Sequence, residues 1–303
     1  MVAIQTEKIK AVMDAIVAAQ APCTRAAMPQ DRVGDCPLRL AGDLHLHRDT
    51  RLADAMPTVG SRRLALCQST DESVSAVIAA IVPAHNEEDH LAACLQSLQR
   101  AACCADLLGE PITVVVVLDS CSDASEAIAR RCGADVLTIQ ARNVGAARAL
   151  GAQRAIELGA RWLAFTDADS VVDPGWLAAQ LAQRSDAVCG TVAVREWGSY
   201  GEHMQRHYAR TYTDADGHQH IHGANLGVST DAYLAAGGFR RLESSEDVAL
   251  VEVLEAQGAL IAWSASPRVV TSARRIFRAP LGFGATLLRV ERESQQVAAA
   301  GTA

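Results

Sequence analysis

Two aspartates separated by one residue carry the most specific chemical signal in the sequence. Asp167-Ala168-Asp169 follows the apolar run Trp162-Leu163-Ala164-Phe165-Thr166, which is typical of a buried strand. Two carboxylates at the end of such a strand repel each other and lose hydration unless a cation lies between them. Carboxylate oxygens are the ligands that hard divalent cations prefer. We therefore predict that Asp167 and Asp169 bind Mg²⁺ or Mn²⁺ together with diphosphate oxygens.

Polar residues follow two earlier apolar runs in the same way. Residues 77–82 lead into Pro83-Ala84-His85-Asn86-Glu87-Glu88, and residues 112–118 lead into Asp119. The first of these segments is typical of a ligand-facing loop, and Asp119 is placed to accept a hydrogen bond from a base or a ribose. The alternative for Asn86 and Glu87 is a purely structural role in capping the next helix.

A fourth segment, Asn143-Val144-Gly145-Ala146-Ala147-Arg148, opens an alanine-rich helix. Gly145 permits close approach of the backbone, and Arg148 is within reach of an anion at the helix N-terminus. A phosphate suits this environment. Glycine and alanine serve helix packing equally well, so this alternative stays open.

The elements that must position these residues are alternating apolar runs and helical stretches. This alternation predicts an α/β fold with a mainly parallel sheet, in which functional side chains follow the carboxyl ends of the strands. We expect residues 76–290 to form this domain, residues 1–75 to be an N-terminal extension with one short helix and a linker, and residues 291–303 to be a flexible tail. The predicted strands are residues 77–82, 112–118, 136–139, 162–165 and 188–194.

Composition indicates which partners and which cellular compartment suit the protein. A chain of 303 residues with 50% hydrophobic residues has ample material for a core, and its formal net charge of -7 disfavours nucleic acid as a partner. Nine cysteines without paired metal-ligand spacing are typical of reduced thiols in a cytoplasmic protein. We find no signal peptide and no apolar stretch near the roughly 18 residues of a membrane-spanning helix.

In order and spacing, these motifs resemble glycosyltransferase family 2, whose members have the Rossmann-like GT-A fold, over about residues 76–275. Val82-Pro83-Ala84-His85-Asn86-Glu87-Glu88 is similar to the family's opening motif, Asp119 to its base-binding aspartate, and Asp167-Ala168-Asp169 to its metal motif. The resemblance implies a UDP- or GDP-sugar donor and a hydroxyl acceptor. The donor-binding residues it implies are Pro83, Ala84, His85, Asn86, Glu87, Asp119, Asn143, Gly145, Arg148, Asp167 and Ala168.

Two downstream segments extend the resemblance to the acceptor side. His222-Gly223-Ala224-Asn225 is similar to the family's Gly-x-Asn segment beside the donor sugar and the acceptor, which implies acceptor binding by these four residues. Ser245-Glu246-Asp247 is similar to the family's Glu-Asp pair. This implies that Asp247 is the catalytic base of an inverting reaction and that Glu246 orients the acceptor. Acids that merely favour the first turn of a helix are the alternative.

The sequence also departs from the family pattern. Ala124 and Ala149 stand where many members have aspartate and asparagine, and residues 269–275 lack the histidine with which some members bind the metal. The cation is therefore expected to rest on Asp169, diphosphate and water. Arg274 and Arg275 are predicted either to bind an anion or to be solvated surface charges.

An apolar stripe follows Arg275 and is interrupted by Pro280, Gly282 and Gly284. We expect a helix packed on the core, with peripheral contact to a membrane as the alternative. Its residues are Ile276, Phe277, Leu281, Phe283, Leu287, Leu288 and Val290.

Three other functions are alternatives to this one. A dinucleotide-dependent dehydrogenase is disfavoured, because no Gly-x-Gly-x-x-Gly follows the first strand. A non-catalytic nucleotide-sugar binding protein could share the fold. A retaining transferase on the same fold would use Asp247 to bind the acceptor and not as a base.

Overall fold

An eight-stranded mixed sheet organises the part of the chain that the structure, a computed structural model, describes: residues 77–198, 200–274 and 287–292. The predictions for residues 1–75 and for the tail from residue 293 lie outside these ranges. The order of strands across the sheet is β3-β2-β1-β4-β7-β6-β8-β5. The strands are β1 (Val77–Ala84), β2 (Ile112–Asp119), β3 (Asp135–Ile139), β4 (Ala160–Phe165), β5 (Val171–Val172), β6 (Ala187–Val194), β7 (Leu226–Ser229) and β8 (Ile261–Thr271).

Seven α-helices and one short 3-10 helix, Ala105–Leu107, are bounded within the described residues. Residues 287–292 are also helical. None of the helices in these ranges is both long enough and apolar enough to cross a membrane. The α-helices are α1 (Leu91–Ala102), α2 (Ser125–Arg131), α3 (Val144–Glu157), α4 (Trp176–Ala182), α5 (Glu202–Thr211), α6 (Thr230–Ala235) and α7 (Glu246–Ala256).

Four neighbouring strand pairs are parallel and three are antiparallel. The pairs β1/β2, β1/β4, β2/β3 and β6/β8 are parallel, while β7 runs antiparallel to both β4 and β6, and β5 antiparallel to β8. The predicted α/β class and mainly parallel sheet are confirmed. Sequence reasoning did not find β5, β7 or β8, because two of them are short and β8 contains serines and a proline.

The sheet is buried on both faces. Along β1, Ile78, Ala80 and Val82 face the core formed with α1, α2 and α4. Ala79 and Ile81 point to the opposite core, formed with α3, α6 and α7. This alternation follows from the two-residue period of a strand, and it explains why the run lacks polar residues.

Strand direction brings the predicted site residues to one edge of the sheet. The carboxyl ends of β1, β2, β3 and β4 meet there because these strands are parallel. The antiparallel strand β7 begins where β4 ends, with Leu226 opposite Phe165, so residues 222–225 lie beside the end of β4. After the Asp-x-Asp segment, β5 pairs Val171 with Val270 near the end of β8. Segments distant in sequence therefore converge on Asp167 and Asp169.

The short helix at residues 287–292 packs on the domain through its apolar side. Leu287 and Val290 are buried in a cluster with Trp197, Tyr200 and Met204. These two residues therefore belong to a protein core, as the packed-helix interpretation expects. The rest of the apolar stripe, residues 276–286, lies outside the described ranges.

Candidate functional site

The Asp-x-Asp segment lies directly after β4, at the edge where the strand ends converge. The Asp167 side chain is 36% exposed and that of Asp169 is 13% exposed. Burial, together with the nearby carboxylates of Asp167 and Glu87, raises the pKa of Asp169 to about 7, despite the opposing charge of Arg274. A buried acid in this position gains more from an added cation than a solvated one would.

Arg274 joins two of the site carboxylates. Its two terminal nitrogens donate to the two oxygens of Glu87 at 2.7 Å each. The Nη2 atom also lies 3.1 Å from Oδ2 of Asp169. Arg274 is therefore no solvated surface charge. Both oxygens of the buried Glu87 are used in this pair, and its contact with the donor stays a prediction.

Arg148 joins two further carboxylates and is 4% exposed. Its Nη2 donates to Oδ1 of Asp167 at 2.6 Å, and its Nη1 donates to Oε1 of Glu246. The guanidinium is thus engaged by protein acids, and its binding of diphosphate stays a prediction. Burial raises the pKa of Glu246 and Arg148 opposes this rise. Glu246 is likewise buried and paired with Arg148, and its role in orienting an acceptor stays a prediction.

Asp247 has a carboxylate fixed by backbone donors. Its Oδ2 accepts from the N–H of Gly223 at 2.7 Å, and its Oδ1 accepts from the N–H of Val248 at 2.9 Å. The side chain is half-buried. Ser245, just before α7, has φ 60°, a left-handed turn that starts the helix at Glu246. The predicted base and the predicted acceptor segment are therefore in direct contact.

His222 contacts an aromatic neighbour that the sequence did not single out. Its Nε2 lies 3.2 Å from the Oη of Tyr212, and the two rings stack with centroids 5.9 Å apart. Burial, together with nearby His220 and His218, lowers the pKa of His222 to about 3. The ring is therefore neutral at physiological pH.

Asn225 is fully buried and its amide is satisfied within the protein. The Nδ2 atom donates to the carbonyls of Thr191 at 2.7 Å and Pro267 at 2.9 Å, while Oδ1 accepts from Nε1 of Trp176 at 2.8 Å. These bonds join β6, β8 and α4 at the start of β7. Asn225 thus has a structural role, and acceptor contact by this residue and by the buried Ala224 stays a prediction.

Asp119 holds the loop that precedes α3. Its Oδ1 accepts from the N–H groups of Ala141 and Arg142 at 2.8 Å, and its Oδ2 accepts from that of Asn143 at 2.7 Å. Burial raises the pKa of this carboxyl, but the three backbone donors outweigh burial and keep the pKa below its usual value. Asp119 is therefore ionised, and its contact with a nucleoside stays a prediction.

The loop after β1 lies against the end of β2. Nδ1 of His85 is 2.6 Å from the carbonyl oxygen of Asp119, and Oδ1 of Asn86 accepts from the N–H of Ser122 at 2.7 Å. Both side chains are half-buried and border this edge. Pro83 and Ala84 are the buried last residues of β1, and their contact with the donor stays a prediction.

Three other predicted donor residues serve packing. Oδ1 of Asn143 accepts from the N–H of Ala146 at 2.8 Å and caps α3, and its Nδ2 donates to a backbone carbonyl at 2.5 Å. A Cβ added to Gly145 would lie 2.5 Å from the carbonyl oxygen of Arg240, so only glycine allows this approach. Ala168 is 3% exposed. All three position neighbouring groups, and their contact with the donor stays a prediction.

A divalent cation fits this site only with help from a ligand. Arg148 uses one oxygen of Asp167 and Arg274 contacts one oxygen of Asp169, so these ion pairs leave the other oxygen of each carboxylate to a metal. Across the described ranges, no group of three His, Cys, Asp or Glu residues is arranged to hold a metal by itself. The residues therefore fit a cation whose remaining ligands come from diphosphate and water.

Solved structures resemble this arrangement of elements. Residues 1–349 of S. aureus TarS in complex with UDP-GlcNAc match with a TM-score of 0.52 at 15% identity, over 71% of this chain and 65% of that one. The same TarS fragment with UDP matches with a TM-score of 0.50 at 16% identity, over 66% and 61% of the two chains. This chain thus spans less than two thirds of the length of these matches. The likeness shows the GT-A fold, as predicted.

Sequence similarity then gives the family. Residues 79–241, more than half of the 303-residue chain, match the family described as glycosyl transferase family 2. The chain belongs to glycosyl transferase family 2, which confirms the resemblance noted from its motifs. No curated protein matches it.

Proposed function

We propose that this chain transfers a sugar from a UDP- or GDP-sugar to a hydroxyl acceptor, with Mg²⁺ or Mn²⁺ at Asp167 and Asp169 and with inversion at the anomeric carbon. One observation carries the proposal. The half-exposed Asp167 and the backbone-held Asp247 are connected through Arg148, Glu246 and Gly223 at one edge of the sheet. A leaving diphosphate and an attacking hydroxyl need help at opposite ends of the reacting centre, and these acids supply both.

The donor side would bind the diphosphate. A bound cation would supply positive charge that stabilises the leaving group, with Asp167 and Asp169 as its protein ligands. Arg274 adds a positive charge beside Asp169, at 3.1 Å. Among the described bonds of Asp119, Oδ2 accepts only one, from Asn143, so a nucleoside N–H or O–H could add a second. The TarS structures contain UDP-GlcNAc or UDP, which favours UDP as the first nucleotide to test.

The acceptor side would remove a proton. Asp247 would take it from the acceptor hydroxyl as that oxygen attacks the anomeric carbon from the face opposite the leaving group. Two backbone N–H groups, from Gly223 and Val248, fix the direction of this carboxylate. His222, neutral because burial lowers its pKa to about 3, would contact the acceptor through hydrogen bonds and not through charge.

A melting-temperature panel tests this proposal. UDP-, GDP- and dTDP-sugars are added to the full chain with Mg²⁺, with Mn²⁺ or with excess chelator. Binding to the native state increases the free energy of unfolding by mass action, by about 2.7 kcal/mol at a ligand concentration of 100 times Kd. The melting temperature rises accordingly. We expect a shift with a UDP- or GDP-sugar that the chelator reduces. A chain stabilised by none of these ligands would contradict the proposal.

Product analysis separates the remaining alternatives. The stabilising sugar nucleotide is incubated with the chain and water as acceptor, and release of nucleoside diphosphate is followed. We expect slow release, with the sugar initially in the inverted anomeric configuration by NMR. Binding without release would indicate a non-catalytic binding protein, and an unchanged configuration would indicate a retaining transferase.

A further inference from the structure

Arg148 is an unusually placed arginine. It lies in the first turns of α3 and is 4% exposed, with its guanidinium carbon 5.8 Å from the centre of the Phe239 ring. In the described part of the chain its Nε has no hydrogen-bond partner. A buried guanidinium is costly unless acids satisfy it, so its partners define what it does.

Those partners come from the two halves of the proposed site. Nη2 donates to Asp167, the first aspartate of the Asp-x-Asp segment, at 2.6 Å. Nη1 donates to Glu246, which begins α7 next to the proposed base. The guanidinium is planar, so the directions of its two arms are fixed relative to each other. One rigid group therefore sets the positions of both carboxylates.

The acceptor segment also lies directly on Arg148. A Cβ added to Gly223 would lie 2.4 Å from the guanidinium carbon and 2.4 Å from Nη2. The N–H of the same Gly223 donates to Oδ2 of Asp247 at 2.7 Å. Glycine is thus required where the backbone that holds Asp247 crosses the arginine. Moving the guanidinium would move this backbone as well.

We propose that Arg148 is a positioning residue of the reaction, through which Asp167 on the donor side and Glu246 and Asp247 on the acceptor side are held in one geometry. The inference rests on the proposed transferase function. Protein acids hold both terminal nitrogens of Arg148, so we assign it a positioning role that acts through these acids. Its contribution is the alignment of the cation ligand with the base.

Two variants disturb this alignment in different ways. Arg148→Lys keeps the charge but has only one nitrogen to share between two acids, and Gly223→Ala keeps the arginine but pushes it away. Arg154→Gln is the matched control, because Arg154 lies on the same helix, is 37% exposed and pairs with Asp135 at 2.7 Å away from the site. Melting temperatures show which variants fold. If Arg148→Lys does not fold, Gly223→Ala carries the test.

The first measurement is hydrolysis of UDP-GlcNAc or GDP-mannose in the presence of Mn²⁺, whichever the unaltered chain cleaves. Because a misplacement of about 1 Å can cost roughly 10²-fold in rate, we expect kcat per folded molecule to fall by about that factor in both variants. KM for the donor should change by less than about threefold, and Arg154→Gln should match the unaltered chain. The double variant should be no slower than the slower single variant, because both changes break one contact. A folded Gly223→Ala variant with unaltered kcat, or effects that multiply, would overturn the inference.

A second measurement needs no turnover. Asp167→Asn, Glu246→Gln and the double variant are unfolded in urea. If Arg148 joins the two acids, the shift of the urea midpoint in the double variant will differ from the sum of the shifts in the two single variants. A shift equal to that sum would show that the acids are independent and would overturn the inference. If the unaltered chain cleaves no sugar nucleotide while the shifts remain non-additive, the proposed transferase function fails and the alignment by Arg148 stands.

Discussion

Asp169 is the residue at which the proposed metal site is tested most simply. It is 13% exposed and its pKa is raised to about 7 by burial. Asp169→Asn should abolish the Mn²⁺-dependent increase in melting temperature caused by the nucleotide, because an amide is a weak ligand for a hard cation. Asp173→Asn, at an exposed aspartate shortly after β5, should leave it unchanged. A Mn²⁺-dependent increase that persists in Asp169→Asn would place the cation elsewhere.

Arg274 gives a stability prediction at the same scale. Arg274→Gln leaves the buried carboxylate of Glu87 without two charged hydrogen bonds of 2.7 Å. We expect the free energy of unfolding, measured by urea denaturation, to fall by about 1–3 kcal/mol. The control is Arg268→Gln, whose arginine is 45% exposed and pairs with Asp214, and the expected loss there is below about 1 kcal/mol. Equal losses in the two variants would contradict the structural role of Arg274.

The acids of the site could be predicted from sequence, but the partners of its arginines could not. Asp167, Asp169 and Asp247 stand at strand ends or a helix start, positions that local pattern reveals. The pair between Arg148 and Glu246 spans 98 positions, and that between Arg274 and Glu87 spans 187. Such pairs depend on how the sheet brings distant segments together. Local sequence therefore favoured a ligand anion for Arg148 and left an anion or solvent open for Arg274, where the structure has protein carboxylates.

At the scale of elements, the contact between α3 and β1 sets the position of Arg148. A Cβ added to Gly151 of α3 would lie 2.5 Å from Cγ2 of Ile81 in β1 and 3.1 Å from Cγ2 of Val117 in β2. Helix propensity alone predicts that Gly151→Ala stabilises the protein by about 1 kcal/mol. The tight packing predicts the opposite, a decrease of about 1–3 kcal/mol in the free energy of unfolding. Chemical denaturation decides, and a stabilised variant would show that the helix is free to shift.

The elements themselves were predictable to different degrees. The runs that became β1, β2, β3, β4 and β6 are continuous and apolar because helices cover both faces of the sheet. β8 was missed because its pairing with β6 shifts register between Gly190 and Thr191, where Pro267 interrupts its β pattern. β5 has two residues and is defined only by its pairing with β8. Tertiary pairing defines strands of this kind, and local sequence therefore predicts them poorly.

At the scale of the whole molecule, His222 should make stability depend on pH. Burial lowers its folded-state pKa to about 3 from the ordinary value of 6.5. Between these values the unfolded chain takes up a proton that the folded chain does not. Its contribution to stability is therefore complete above pH 6.5 and declines as the pH falls towards 3, with a slope of at most about 1.4 kcal/mol per pH unit.

The difference between variants isolates this contribution. His222→Gln should show a shallower loss of unfolding free energy between pH 6.5 and pH 4 than the unaltered chain, measured by urea denaturation. His203→Gln removes an exposed histidine from α5 and should retain the unaltered slope. The same slope in all three proteins would indicate that His222 is readily protonated in the folded state.

The central claim concerns the whole domain, namely that one edge of the sheet binds a sugar nucleotide through a cation at Asp167 and Asp169 and activates an acceptor through Asp247. The most direct measurement compares binding and turnover of the same UDP- or GDP-sugar with Mn²⁺ in the unaltered chain and in Asp247→Asn. We predict that the variant binds the donor within about threefold of the unaltered Kd and loses at least about 10²-fold in kcat, because only the base is missing. Undiminished turnover by Asp247→Asn would contradict the account.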